Sequence, residues 1–175
     1  MTEAQFLISI LTILGSGVVS AVVTYKLNRS KEVKELYRTK LEELFKATSR
    51  FTKMLFSIHF VWLNVMDEKI TYNEGLDHIH IEEKEKDSYE NCEMLINLYF
   101  PELKNNFQSL LESRDKLSRI HMAFKKDYER TGPTAKYNEE FKSELVKLTK
   151  KEEVLKAAIF EIASKRKRNR VRPLK

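Results

Sequence analysis

The chain contains few of the residues that break helices or cross-link chains: 4 glycines, 3 prolines and 1 cysteine among 175 residues. A single cysteine, Cys92, excludes an intramolecular disulfide and is typical of a reducing compartment. Scarce glycine and proline, together with 33% charged residues, favour long helices over sheets. There is also no glycine-rich phosphate loop, metal-ligand cluster or nucleophile triad, so the sequence predicts no nucleotide and no metal cofactor.

The N-terminal segment is the exception to this polar composition. Residues 6–25 form a run without charge, FLISILTILGSGVVSAVVTY, and Lys26, Arg29 and Lys31 follow it. A helix of that length spans roughly 30 Å, the thickness of the hydrocarbon core of a bilayer. We therefore predict a single transmembrane helix within an anchor of residues 1–29, with the N-terminus outside and the rest in the cytoplasm. A cleaved signal peptide is the alternative, but an acid and no base precede the run.

Hydroxyl-bearing residues share one face of this run, and two small residues lie beside them. Small residues let membrane helices approach each other, and hydroxyls can bond across the contact, which predicts a self-association face. The alternative is a ring of helices whose hydroxyls line a water-filled pore. The hydroxyl residues are Ser9, Thr12, Ser16, Ser20 and Thr24, and the small residues are Gly17 and Ala21.

The remaining sequence is typical of one helical domain, residues 30–166, so the predicted fold class is all-α with a transmembrane helix and a cytoplasmic bundle. Apolar residues recur at alternating spacings of four and three, the pattern of helices that pack along a seam. We expect three long helices in an up-down-up bundle. The first runs from an N-cap at Ser30 to about Met66, and the last from about Tyr137 to Lys165. The second runs from about Ser88 to Gly132, and Pro101 should either kink it or open a new helix.

Residues 67–86 are predicted to form an exposed loop. Asn73, Glu74 and Gly75 are turn formers, and the residues after them alternate between histidine and isoleucine. His78 and His80 could supply half of a metal site, and an exposed loop is the alternative that we prefer.

Two polar residues, Arg114 and His121, fall within the apolar seam of the second long helix. Because an unpaired guanidinium is costly to bury, we expect Arg114 to have a partner. If the hairpin turns near Pro133, Glu152 lies at the same level on the last helix. A buried Arg114–Glu152 pair that sets the register, with His121 in the core, is therefore one interpretation.

A functional interpretation comes from the sequence RDKLSRIH, from Arg114 to His121. It resembles the R-x(4–6)-H motif of HEPN-domain proteins, with the polar Asp115 in the second position as that family favours. In HEPN ribonucleases, two such helices face each other across a dimer. The resemblance implies that His121 serves as acid or base and that Arg114 stabilises charge on the scissile phosphate.

The motif, the helical domain and the N-terminal run together resemble the small membrane accessory proteins of type VI-B CRISPR systems. The resemblance implies a homo-oligomeric ring, eight-fold, whose membrane helices surround a pore in the bacterial inner membrane. It also implies that the ring is in contact with membrane lipid and depolarises the membrane, and that this enhances antiviral defence by an RNA-guided RNA nuclease. The alternatives are a membrane-anchored HEPN-type ribonuclease and a non-catalytic membrane scaffold.

A basic tail, residues 167–175, follows the domain. The last eleven residues carry seven positive charges and no acid, so of the net charge of +6 the remainder of the chain holds −1. RNA, a nucleoprotein or the acidic surface of a neighbouring subunit is a candidate partner for this segment, and a solvated end is the alternative. Lipid is disfavoured because the expected up-down-up topology places the tail far from the bilayer. The basic residues are Lys165, Arg166, Lys167, Arg168, Arg170, Arg172 and Lys175.

Overall fold

The computed structural model describes residues 3–79, 87–132 and 134–168, and side chains from residue 24 to residue 165 within those ranges. The chain divides into two compact units, residues 1–39 and 40–175. The described residues of the first unit, from Glu3 onward, are helical. From Thr24 to Thr39 its side chains are exposed, apart from the half-buried Tyr37.

The described chain is all-helical, as the sequence predicts. Two short 3₁₀ turns, Pro101–Leu103 and Ala135–Tyr137, precede the last two helices. The α-helices are α1 (Glu3–Met66), α2 (Tyr72–His78), α3 (Ser88–Tyr99), α4 (Lys104–Thr131) and α5 (Asn138–Arg168).

The prediction of an N-terminal transmembrane helix is corrected. Over the residues that the structure describes in full, no helix combines the length and the apolar character that crossing a membrane requires. Within the part of α1 whose side chains are described, the spacing of the charged residues accounts for this finding. Lys26, Arg29 and Lys31 follow one another within two turns, and charged residues then recur as far as Lys53. The side chains of residues 6–23 lie outside the described ones.

The predicted start of the first long helix at Ser30 is wrong, whereas its end at Met66 is confirmed. Ser30 lies inside α1. A serine caps a helix only where the helix begins, and there is no glycine or proline between residues 18 and 66 to begin a new one. The predicted break at Pro101 and the helix end before Gly132 are both confirmed.

Helix α2 replaces part of the predicted loop. The Thr71 hydroxyl accepts a hydrogen bond from the backbone N–H of Glu74, and the Glu74 carboxylate accepts one from the Thr71 N–H, which forms a capping box. Gly75 then lets α2 lie close to α1, because a Cβ at this position would come within 2.6 Å of the Val65 side chain. The remainder of the predicted loop, residues 80–86, lies outside the described chain.

In the described part of the second unit, residues 40–175, four helices form the bundle where three were predicted: α1 from Lys40 onward, α3, α4 and α5. Helix α3 runs antiparallel to α1, since Cys92 contacts Thr48 and Tyr89 packs on Phe51. Helix α4 runs parallel to α1, since its Phe107 also packs on Phe51 while His121, further along α4, stacks on Trp62 of α1. Of the two outcomes predicted at Pro101, the structure has the second, because α3 ends at Tyr99 and a new helix, α4, follows the 3₁₀ turn that begins at Pro101.

Helix α5 runs antiparallel to α1 and completes an up-down-up-down order. Thr52 donates a hydrogen bond to Glu152 at 2.7 Å, and the rings of Phe45 and Phe160 lie 5.2 Å apart. The end of α5 therefore lies at the end of the bundle where α1 enters it, near Lys40. The expected up-down-up topology put the end of the last helix at the opposite end of the bundle, and the additional helix α3 reverses the direction of that helix.

The core lies along the predicted seams. Its only buried carboxylate among the described residues is that of Glu144, which accepts hydrogen bonds from Ser113 and Lys147 and pairs with Lys116 at 3.0 Å. Burial raises the pKa of Glu144, but the bonds from Lys116, Lys147 and Ser113 outweigh it and the pKa is lowered. Buried seam residues include Leu44, Phe51, Leu55, Phe107, Leu110, Leu117, Phe124, Phe141, Leu148 and Leu155.

Candidate functional site

The HEPN-like motif lies in the middle of α4. Arg114 and His121 are seven residues apart, which places both side chains on one face of the helix, about 10.5 Å apart along its axis. This face turns toward α1 and α3, as the contacts of the two residues show. Each of the two side chains has a different environment.

Arg114 is held at the edge of the bundle. Its guanidinium donates two hydrogen bonds to the neighbouring Asp115 carboxylate, at 2.8 and 2.6 Å, and lies 5.4 Å from the centre of the Tyr89 ring on α3. The side chain is 28% exposed. The second motif position thus supplies the counter-charge, and Tyr89 supplies a cation–π contact.

His121 lies deeper than Arg114. Its ring stacks on Trp62 of α1, with the two centroids 4.0 Å apart, and its Nε2 is buried without a hydrogen-bond partner in the described part of the chain. Burial, and to a smaller extent the nearby Lys125, lowers the pKa of His121 from 6.5 to about 4. The imidazole is therefore neutral near pH 7, and a general acid at that pH needs a pKa close to it.

A second histidine, His59 on α1, joins this region and was not predicted from the sequence. It is 4% exposed, and neither of its ring nitrogens has a hydrogen-bond partner among the described residues. Burial, and then the proximity of His121, lowers its pKa to about 4. The available signal was its position in a segment that is apolar nearly all round, between Ile58 and Phe60.

The predicted Arg114–Glu152 pair does not form. Glu152 instead accepts a hydrogen bond from Thr52 and pairs with Lys156 at 2.6 Å. Within the described residues no bond joins it to Arg114. The register of the hairpin is the reason, because Ser113 lies opposite Glu144, and Glu152 is eight residues, or about 12 Å, further along α5.

Aromatic rings extend from His121 to the surface. Tyr72 of α2 packs 5.1 Å from Trp62, and Tyr128 of α4 packs 5.3 Å from Tyr72. An open pocket of about 560 Å³ lies beyond these rings, between α2 and α4, with Lys125 in its wall. The pocket includes neither Arg114 nor His121, so it does not give a ligand access to the motif.

Cys92 is not available as a nucleophile. Its thiol is buried on α3 and lies 3.7 Å from the Thr48 hydroxyl. Burial raises the pKa of the Cys92 thiol to about 12, so the reactive thiolate is not populated near neutral pH.

The other predicted site residues are only partly described. Thr24 is exposed on α1, and Lys165 is exposed and pairs with Glu161 at 2.8 Å. His78 is the last residue of α2, and His80 lies outside the described residues. Also outside the described side chains are Ser9, Thr12, Ser16, Gly17, Ser20, Ala21, Arg166, Lys167, Arg168, Arg170 and Arg172.

Comparison with protein-family models, with curated proteins and with solved structures finds no match to this chain.

Proposed function

We propose that this chain is a non-catalytic accessory protein of RNA-targeting CRISPR defence, in which the HEPN-like motif holds the helical domain together. The observation that supports this proposal is the stacking of His121 on Trp62, with Nε2 buried. A general acid or base has to reach the proton that it transfers, within about 3 Å or through one water. A ring stacked inside a bundle serves packing better.

The environment of Arg114 supports the same proposal. Its two bonds to Asp115 neutralise the charge that a nuclease would direct at a phosphate. In this role the functional partner is the RNA-guided nuclease, whose action the accessory protein enhances. The resemblance also implies a pore, but a pore would need the predicted transmembrane helix, and that prediction is corrected above. The proposed function therefore depends on the helical domain alone.

The test separates stacking from acid–base chemistry at one position. His121→Phe keeps an aromatic ring against Trp62 but has no titratable proton, whereas His121→Ala removes the ring. We expect phage protection, measured in cells that also carry the RNA-guided nuclease, to persist with His121→Phe and to fall with His121→Ala. The loss follows from a destabilisation on the order of 2 kcal/mol when a half-buried stacked ring is removed.

Protein abundance and thermal unfolding of both variants provide the control. If His121→Phe is folded and equally abundant yet gives no protection, the histidine has a chemical role, and the result would favour the ribonuclease interpretation. RNA cleavage by the purified protein that disappears in His121→Phe would contradict the proposal directly.

A further inference from the structure

Charge is segregated on one segment of α1. Residues 44–66 contain three basic residues, Lys46, Arg50 and Lys53, and no acidic residue. Their spacings of four and three place all three on one face of the helix. All three are exposed, and within the described chain none of them forms an ion pair or a hydrogen bond. The exposed surface of α4, by contrast, alternates acids and bases.

An exposed aromatic ring continues the same face. Phe60 follows Lys53 by seven residues and is 60% exposed, and the exposed Ser57 lies between them. We call Lys46, Arg50, Lys53, Ser57 and Phe60 the α1 basic face. It extends about 21 Å along the helix axis.

The bundle holds this face outward. Trp62 follows Lys53 by nine residues and therefore lies half a turn away around the helix, where it is buried against His121. Leu44, Phe51 and Leu55, on the same inner side as Trp62, are buried too. The α1 basic face is therefore a rigid surface, separate from the HEPN-like motif.

We propose that the α1 basic face binds single-stranded nucleic acid. Lys46, Arg50 and Lys53 contact successive phosphates, and Phe60 stacks against a base. Proteins that bind single strands combine a line of positive charge with an aromatic platform in this way. Contacts to phosphates and stacking on a base do not involve the 2′-hydroxyl, and Ser57 is the one hydroxyl of the α1 basic face, so RNA and DNA strands are expected to bind with similar affinity.

A lipid surface fits this face less well. A helix that lies in a bilayer interface buries a broad apolar face beside its basic residues. The apolar side of α1 is already enclosed by the bundle at this level, which leaves Phe60 as the one large apolar side chain of the α1 basic face. The basic tail is a separate segment, and the proposed site does not depend on it.

The test measures the binding of fluorescein-labelled oligouridine and oligothymidine to the full-length protein by fluorescence anisotropy. The triple variant Lys46→Glu, Arg50→Glu, Lys53→Glu should bind more than tenfold more weakly. Loss of three phosphate contacts should also reduce the slope of log Kd against log salt concentration by about 2. Phe60→Ala should weaken binding roughly fivefold through lost stacking.

A matched control has the same change in net charge. Lys104, Lys126 and Lys150 are exposed at three separate places on α4 and α5, and their replacement by glutamate should leave the affinity within about threefold. Circular dichroism and thermal unfolding establish that both triple variants are folded.

Several outcomes would overturn the proposal. Equal losses in the two triple variants would assign binding to overall charge. Binding retained in the α1 variant but abolished by Arg170→Ala with Arg172→Ala would assign it to the tail. Failure to bind either strand, with capture by phosphatidylglycerol vesicles that the α1 variant loses, would identify a lipid surface. None of these results bears on protection by His121→Phe, so the two proposals fail separately.

Discussion

At the residue scale, burial of the two imidazoles of His59 and His121 lowers the free energy of unfolding of the domain. His59 and His121 together leave three ring nitrogens buried without a hydrogen-bond partner among the residues that the structure describes. An unsatisfied buried polar atom costs about 1–3 kcal/mol. Stacking of His121 on Trp62, and the edge-on contact of His59 with Phe141 at 5.7 Å, offset part of that cost. The pair is tolerated only while both imidazoles are neutral.

This makes stability depend on pH in a defined direction. The folded-state pKa of each histidine is lowered from 6.5 to about 4, so the unfolded state binds more protons in the window between those values. The stabilisation is fully present above about pH 6.5 and is lost as the pH falls toward about 4, on the order of 2–3 kcal/mol per histidine. Urea unfolding at a series of pH values measures the loss.

Single and double variants apportion the effect. His59→Phe and His121→Phe should each lower the number of protons taken up on unfolding between pH 6.5 and 4 by about one, and the double variant should lower it by about two. That number sets the slope of the free energy of unfolding against pH. A double variant that loses stability with acid as steeply as the unsubstituted protein would show that other groups cause the dependence.

At the scale of elements, the close approach of α2 to α1 is set by one glycine. Gly75→Ala adds a methyl group that would lie 2.6 Å from Val65, which is 2% exposed and stiff because it is β-branched. Overpacking costs about 1–3 kcal/mol and exceeds the gain in helix propensity of about 1 kcal/mol. We therefore expect Gly75→Ala to lower the free energy of unfolding.

A double-mutant cycle checks this cause. In a Val65→Ala background the added methyl group has room, so Gly75→Ala should become neutral or stabilising, with a coupling on the order of 1 kcal/mol. Asn73→Ala, at an exposed position of the same helix, reports helix propensity alone. A stabilising Gly75→Ala in the otherwise unchanged protein would contradict the predicted clash.

The comparison of sequence and structure also belongs to this scale. Alternating spacings of four and three located the buried faces of α1, α4 and α5, because burial of one stripe follows directly from helical geometry. The start of α2 was signalled by Thr71 and Glu74, an S/T-x-x-E capping box, but the turn formers Asn73 and Gly75 hid it. That Arg114 and Glu152 do not pair could not be predicted from the sequence, because the register of α4 against α5 depends on the conformation of the hairpin residues after Thr131.

At the scale of the whole molecule, the direction of the helices decides what lies where. Helix α3 follows α1 in the sequence and packs antiparallel to it as one of the four helices of the bundle. Helix α5 therefore ends at the end of the bundle near Lys40. A heptad pattern is the same for either direction, so it could not distinguish three helices from four. The available signal was Pro101, because a proline that opens a new helix makes the predicted segment from Ser88 a helix of its own.

The division of the chain at residue 40 predicts how much of it the bundle needs. Residues 24–36 are all exposed, whereas Leu41 and Leu44 are buried in the second unit. A truncated protein that begins at Lys40 should therefore keep its free energy of unfolding within about 1 kcal/mol and its urea m-value, which follows the surface exposed on unfolding. One that begins at Ser49 loses both leucines, about 3–6 kcal/mol of burial, and should be largely unfolded because domains are stable by only about 5–15 kcal/mol. Urea unfolding followed by circular dichroism measures both proteins, and a marked loss of stability in the protein that begins at Lys40 would show that the first unit contributes to the folding of the second.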